Sequence, residues 1–244
     1  MEIILSKNAG FCPGVKRADQ KVRHLANNKG DNDLIYTLGP LIHNRVYVSS
    51  LNEIGVNVIE LSDVERIVSE NPQKNITIVI RTHGITKESE EFLRRIMANN
   101  KNLNLVDMTC PSVKRIHNIA AEKTSDETYF LLFGSPTHPE SIGILSHAKG
   151  LKRIITSEED LKNIDFKGKI PILCAQTTQN LLQFIQIKKI LKKLYTNAIF
   201  FDTICSVTEN RQYEAIEIAK KSDAMIVIGG RDSSNTQKLY ALCK

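Results

Sequence analysis

Short runs of apolar and β-branched residues alternate along the chain with stretches whose apolar positions recur every three or four residues. The runs are "EIILS" (2–6), "ITIVI" (76–80), "NLV" (104–106), "TYFLLFG" (128–134), "IPILCA" (170–175), "AIFFD" (198–202) and "AMIVIGG" (224–230). Each reads as a strand followed by helix-forming sequence. Val15, Ala18, Val22 and Leu25 give the helical spacing behind Pro13, and Val113, Ile116 and Ala120 give it behind Pro111; a further helix starts at about Thr86. Strands alternating with helices predict parallel sheets of α/β class. In such sheets ligands gather beyond the carboxyl ends of the strands. The polar clusters "RTHG" (81–84), "GSPTHPE" (134–140), "AQTTQ" (175–179) and "GGRDSSN" (229–235) fall at those ends.

Three cysteines share that placement. "GFCPGVKRAD" (10–19), "DMTCPSVKRI" (107–116) and "DTICSVTENR" (202–211) each set a cysteine between a strand and a helix, and Cys12, Cys110 and Cys205 are separated by 98 and 95 residues. A repeat of that period divides the chain into three comparable segments. No linker rich in Gly, Pro or Ser separates them, so three lobes packed around a common centre are expected. Proline at the first helical position makes Cys12 and Cys110 cap-like residues. A helix N-terminus stabilises the thiolate, the form that ligates metals, and its open N–H groups bind sulfur or anions. Three such thiolates suit one metal centre, whereas any one of them alone reads as a buried core cysteine. Zinc held by three cysteines and a histidine is the alternative, against which stands the absence of closely paired ligands such as C-x-x-C. Scattered ligands fit an iron–sulfur cluster, and three thiolates on four irons leave one iron open. Cys174, inside a strand, and Cys243, on the last helix beside Leu239 and Leu242, read as core residues.

Composition narrows the class. The 244 residues are 41% hydrophobic, enough for a substantial core, with no run of eighteen apolar residues and no secretory start, which predicts a cytoplasmic protein away from membranes. Five cysteines in a reducing compartment argue for metal or redox chemistry over disulfides. A net charge of +6 arises from 33 basic residues dispersed among 27 acidic ones, and only 6% of residues are aromatic. That pattern is a solvated basic surface suited to an acidic protein partner; a nucleic-acid binder is the weaker reading. "GFCPGV" lacks the G-x-G-x-x-G spacing of a dinucleotide site, so no flavin or nicotinamide fingerprint is read in the chain.

The motifs "GFCPGVKRA", "GPLIHNR", "RTHGI", "DMTCPSVKR", "THPE", "AQTT", "NRQ" and "SSNT" occur together and in order. On these the chain resembles the 4-hydroxy-3-methylbut-2-enyl diphosphate reductases, the IspH or LytB family of the methylerythritol phosphate route to isoprenoids, along its whole length. The resemblance implies a pseudo-threefold arrangement of three α/β lobes: residues 12–110, residues 111–204, and residues 1–11 with 205–244. It implies a 4Fe-4S cluster held by Cys12, Cys110 and Cys205. It also implies reductive removal of the hydroxyl from an allylic alcohol diphosphate, giving isopentenyl and dimethylallyl diphosphates. His43, His83 and His138 look like the family's diphosphate-binding histidines, joined by Ser233, Ser234 and Asn235 before the last helix, where N–H groups favour anions. Glu140 looks like the proton donor, Thr177 like the hydroxyl that holds substrate and relays the proton, and Thr208 like a weaker substrate contact. The electron donor implied is a small acidic ferredoxin or flavodoxin. His24, His117 and His147 match no motif and are expected to be structural or on the surface.

The resemblance is incomplete in two places. "HPESIGILS" lacks the valine and acidic residue that usually follow "HPE", and the sequence reaches Lys244 several dozen residues before family members usually end. The expectation is a third lobe short of a strand, a serine-containing phosphate loop and closing helices. It would still load its cluster, but bind diphosphate weakly and turn over slowly or not at all. A metal-holding relative without turnover is the alternative, disfavoured by the retained histidines, Glu140 and Asn235.

Overall fold

A computed structural model describes residues 2–244 and divides the chain into two compact units, Phe11–Pro111 and Ser112–Lys244 joined by the described residues up to Gly10. In the first, α1 (Pro13–Asn27) leads to β1 (Asp33–Leu38), α2 (Arg45–Asn52), β2 (Val56–Ile59), a short 3₁₀ turn and α3 (Val64–Glu70). β3 (Asn75–Ile80), α4 (Lys87–Asn99) and β4 (Leu103–Asp107) complete it. The four strands form one parallel sheet in the order β2-β1-β3-β4. β3 is apolar on both faces because it is covered on both. Val79 joins Ala18, Val22 and Leu51 of α1 and α2 on one side, while Ile76, Ile78 and Ile80 join Val64, Ile67 and Leu93 of α3 and α4 on the other.

The second unit repeats the plan. α5 (Pro111–Lys123) starts where the division falls and is followed by β5 (Thr128–Phe133), α6 (Pro139–His147), β6 (Leu151–Ile155), β7 (Ile170–Ala175), α7 (Leu181–Leu194) and β8 (Ile199–Phe200). Its parallel sheet runs β6-β5-β7-β8, the same topology as the first. Phe130, Leu132, Ile172 and Cys174 pack under α5 and α6, and Leu131, Phe133 and Leu173 pack under α7. α8 (Ser206–Ala219) and α9 (Ser234–Leu242) follow. No described helix is long and apolar enough to cross a membrane.

The α/β class and its parallel sheets are as expected, with three local corrections. The segments 2–6 and 224–230 are not strands: neither pairs with a strand of either sheet among the described residues, and Leu5 and Ile228 stand 80% and 92% exposed. β-branched composition favours a strand only where a second strand supplies the ladder. The expected strand 198–202 contracts to Ile199–Phe200 at the sheet edge. Cys243 is no core residue, since it caps α9, a helix with no buried side chain.

Candidate functional site

In each sheet the chain runs from the first strand outward to one edge, then returns to the other side. The reversal falls between β1 and β3 in one unit and between β5 and β7 in the other. At such a reversal the loops leaving the two central strands part and open a crevice at their carboxyl ends. His43 follows β1 and His83 follows β3; His138 follows β5 and Thr177 follows β7. Cys110 and Cys205 come after the outer strands β4 and β8.

In the first unit the His43 and His83 rings stack, centroids 4.6 Å apart and 30° from parallel. Thr82, buried, donates its hydroxyl to the Leu41 carbonyl at 2.8 Å and so ties the two histidine loops together. The Thr82 carbonyl accepts the Cys110 N–H at 3.0 Å. Cys12 caps α1 in extended conformation, with its sulfur making no bond to its own helix. Gly14 lies between the thiols: a Cβ there would stand 2.9 Å from the Cys110 sulfur and 3.9 Å from that of Cys12. Sequence reasoning gave Gly14 no role, although "CPG" held the signal.

In the second unit the same positions carry different chemistry. Thr177 occupies the place of Thr82, two residues beyond its strand, and its carbonyl likewise accepts the N–H of a cysteine, Cys205, at 3.0 Å. Cys205 caps α8, and the Ser112 hydroxyl sits 3.9 Å from its sulfur. Glu140 is 2% exposed, and its carboxyl oxygens accept the Thr177 N–H at 2.6 Å and the Thr177 hydroxyl at 2.9 Å. Burial raises its pKa from 4.5 to about 7, against the lowering effect of those two donors. His138 caps α6 by accepting the Glu140 N–H on Nδ1 at 3.2 Å. A backbone N–H can only donate, so Nδ1 acts here as the acceptor and leaves Nε2 as the ring's donor position.

Gln176, fully buried and unassigned by sequence reasoning, connects these parts. Its carbonyl oxygen accepts the Ser135 N–H and the Ser141 hydroxyl, and its amide donates to Thr178 and Ser234. Thr178 also donates to Ser234 at 2.9 Å, which docks the start of α9 on the loop after β7. Ser233 caps α9 through the Thr236 N–H, with Asn235 in its first turn. Thr208 is buried in the first turn of α8. Gln212 of "NRQ" closes the loop after β7, accepting from the Leu181 N–H and donating to the Gln179 carbonyl. Burial pushes the Cys174 thiol up to about 12, so it stays inert. His24 is exposed, while His117 and His147 stack at 4.3 Å.

Comparison with known proteins finds one family. The family model described as LytB protein matches residues 3–244. The chain is 37% identical over 246 residues to the 4-hydroxy-3-methylbut-2-enyl diphosphate reductase of Caldanaerobacter subterraneus subsp. tengcongensis, covering 100% of this chain and 81% of that protein. It is 40% identical over 245 residues to the protein of the same name from Clostridioides difficile, covering 100% and 83%. Among solved structures it is similar to the E-1-hydroxy-2-methyl-but-2-enyl-4-diphosphate reductase of Plasmodium falciparum. That match has a TM-score of 0.81 and 27% identity, over 96% of this chain and 70% of the other. A second solved structure, (E)-4-hydroxy-3-methyl-but-2-enyl diphosphate reductase, described as the terminal enzyme of the non-mevalonate pathway, matches with a TM-score of 0.70 and 34% identity, over 99% and 81%.

Proposed function

The chain belongs to the LytB family, and from that membership we propose that it reductively dehydroxylates 4-hydroxy-3-methylbut-2-enyl diphosphate. In the balanced step the allylic C–O bond breaks, the hydroxyl leaves with one proton as water, and the hydrocarbon takes up two electrons and a second proton. The products are isopentenyl and dimethylallyl diphosphates.

The observation that carries this reading is the Glu140–Thr177 pair. A carboxyl closed from water with a pKa near 7 is protonated and deprotonated in comparable amounts at neutral pH, which suits a general acid that must give a proton and recover it. Thr177 holds both of its oxygens and fixes their direction. His43, His83, Ser233, Ser234 and Asn235 are proposed to donate to the diphosphate, and His138 to do so through Nε2, its Nδ1 being engaged by the Glu140 N–H. Thr208 is the weaker substrate contact.

The family is iron–sulfur dependent, and Cys12, Cys110 and Cys205 are proposed to hold a 4Fe-4S cluster. None of the three is in a disulfide, each immediately precedes a helix, and the missing Cβ of Gly14 leaves room beside two of them. When bound, such a cluster supplies the electrons and a Lewis-acidic iron for the departing hydroxyl. The three-lobe division, a cytoplasmic setting, and an acidic ferredoxin or flavodoxin as donor belong to the same proposal, without a nucleic-acid or membrane partner. Anaerobic reconstitution with iron and sulfide analysis, followed by assay with the alcohol diphosphate and a reductant, tests it. About four irons per chain with both products formed is expected; a zinc-loaded chain with no turnover would refute it.

A further inference from the structure

Each helix that follows a candidate cluster cysteine carries an arginine five or six residues further on. Arg17 of α1 donates to the Thr109 carbonyl at 2.8 Å, one residue before Cys110. Arg115 of α5 donates to the Asp202 carbonyl at 3.3 Å, three residues before Cys205. Arg211 of α8 donates to the Asn8 carbonyl at 3.0 Å and the Gly10 carbonyl at 2.5 Å, four and two residues before Cys12. The helix after the first cysteine therefore grips the approach to the second, that after the second grips the approach to the third, and that after the third grips the approach to the first.

We propose that Arg17, Arg115 and Arg211 are positioning residues that act in this cyclic order, each fixing the backbone leading to the next cysteine and none acting on the cysteine of its own helix. Beyond the end of a strand a loop has lost its ladder bonds, and its conformational freedom must be removed before three thiols can be offered together. A guanidinium suits the task because it stays charged and its fork can take two carbonyls at once, as Arg211 does. The first link is seconded by the Cys110 N–H on the Thr82 carbonyl and the second by the Cys205 N–H on the Thr177 carbonyl. The third is seconded by Glu214, one helical turn from Arg211 on α8. Its carboxylate accepts from the Lys7 and Asn8 N–H groups and from the Ser6 hydroxyl.

This inference rests on the three cysteines sharing one cluster, but its test does not need the cluster. In the 244-residue chain before iron loading, cysteine labelling by iodoacetamide at one pH, resolved by peptide mass spectrometry, reads each thiol separately. Arg17→Met should raise labelling of Cys110 about three- to tenfold, Arg115→Met that of Cys205 by the smaller end of that range because its bond is long and exposed, and Arg211→Met that of Cys12. The other two cysteines should stay within about twofold in each case, and buried Cys174 should stay unlabelled, reporting that the fold is intact. Arg→Lys at the same positions keeps the charge with fewer donors and should give a smaller rise at the same cysteine, which covers a Met variant that fails to fold. A rise at the cysteine on the arginine's own helix, an equal rise at all three, or none at any would overturn the cyclic assignment. Failure of the cluster reading would show separately, as wild-type chain that takes up no iron.

Discussion

Glu140, the proposed proton donor, is also linked to the folding equilibrium through one proton. Its pKa is raised in the folded chain, so the folded state holds that proton more tightly than the unfolded state does. The resulting stability is complete below the ordinary carboxylate value of 4.5 and is lost as pH rises through about 7, a difference of about 3 kcal/mol. Glu140→Gln removes the titration and keeps the shape. Denaturant unfolding of the variant should show a flatter pH dependence between 4.5 and 7, and turnover should fall about a hundred- to ten-thousandfold with iron content unchanged. Near-normal turnover would move the proton-donor role to another residue. Gly14→Ala tests the sulfur-facing side: its methyl meets the Cys110 sulfur at 2.9 Å, so iron bound per chain should drop steeply while the apo fold persists. Full iron loading in that variant would show that the thiols need no such clearance.

At the scale of elements, the sequence pattern was most informative where a strand is buried on both faces. β7 and the "ITIVI" stretch of β3 read as largely apolar, β-branched runs because helices cover both sides of them. β1, β2 and β6 escaped notice for distinct reasons. β1 puts Thr37, a polar residue, at a fully buried position; β2 is four residues with Asn57 exposed; and β6 is an edge strand carrying Lys152 and Arg153. Charged edges discourage pairing with other chains but erase the alternation that marks a strand. The cysteines stood out by their repeated strand–Cys–helix context, whereas His43, His83, His138 and Glu140 were singled out through the family motifs. Gln176, Gly14 and the arginines were not, since their partners are backbone groups or sulfurs remote in sequence. The α6 cap makes an element-level test. His138→Asn keeps a capping acceptor while deleting Nε2–H, whereas His138→Ala deletes both. Thermal unfolding should separate them by about 1 kcal/mol in favour of Asn, while both weaken diphosphate binding by calorimetry; equal stabilities would mean that the cap is idle.

At the scale of the whole molecule, the surplus of six positive charges bears on the proposed electron carrier more than on the site. Reduction by an acidic carrier should slow as ionic strength rises toward physiological, where the screening length shortens to about 8 Å, and stopped-flow traces would measure it. A rate indifferent to salt would remove the electrostatic docking. The two sheets share a topology, yet one unit is continuous in sequence while the other takes its first residues from the opposite end of the chain. Acid exposes that junction: Glu214 is held down to about 2 by its Ser6 and Asn8 donors, so its contribution is present above 4.5 and fades as pH falls toward 2. Hydrogen exchange at the Lys7 and Asn8 amides should quicken over that window, and Glu214→Gln should show the quickening already at neutral pH. The same junction sets a clock for biosynthesis. Asn8 leaves the ribosome 206 residues ahead of Glu214, a delay of about 10–40 s at ordinary elongation rates. For the second half of that interval Cys12 and Cys110 are both synthesised and the helix that anchors the N-terminal segment is not, so the segment leading to Cys12 gains its anchor only once α8 has been made.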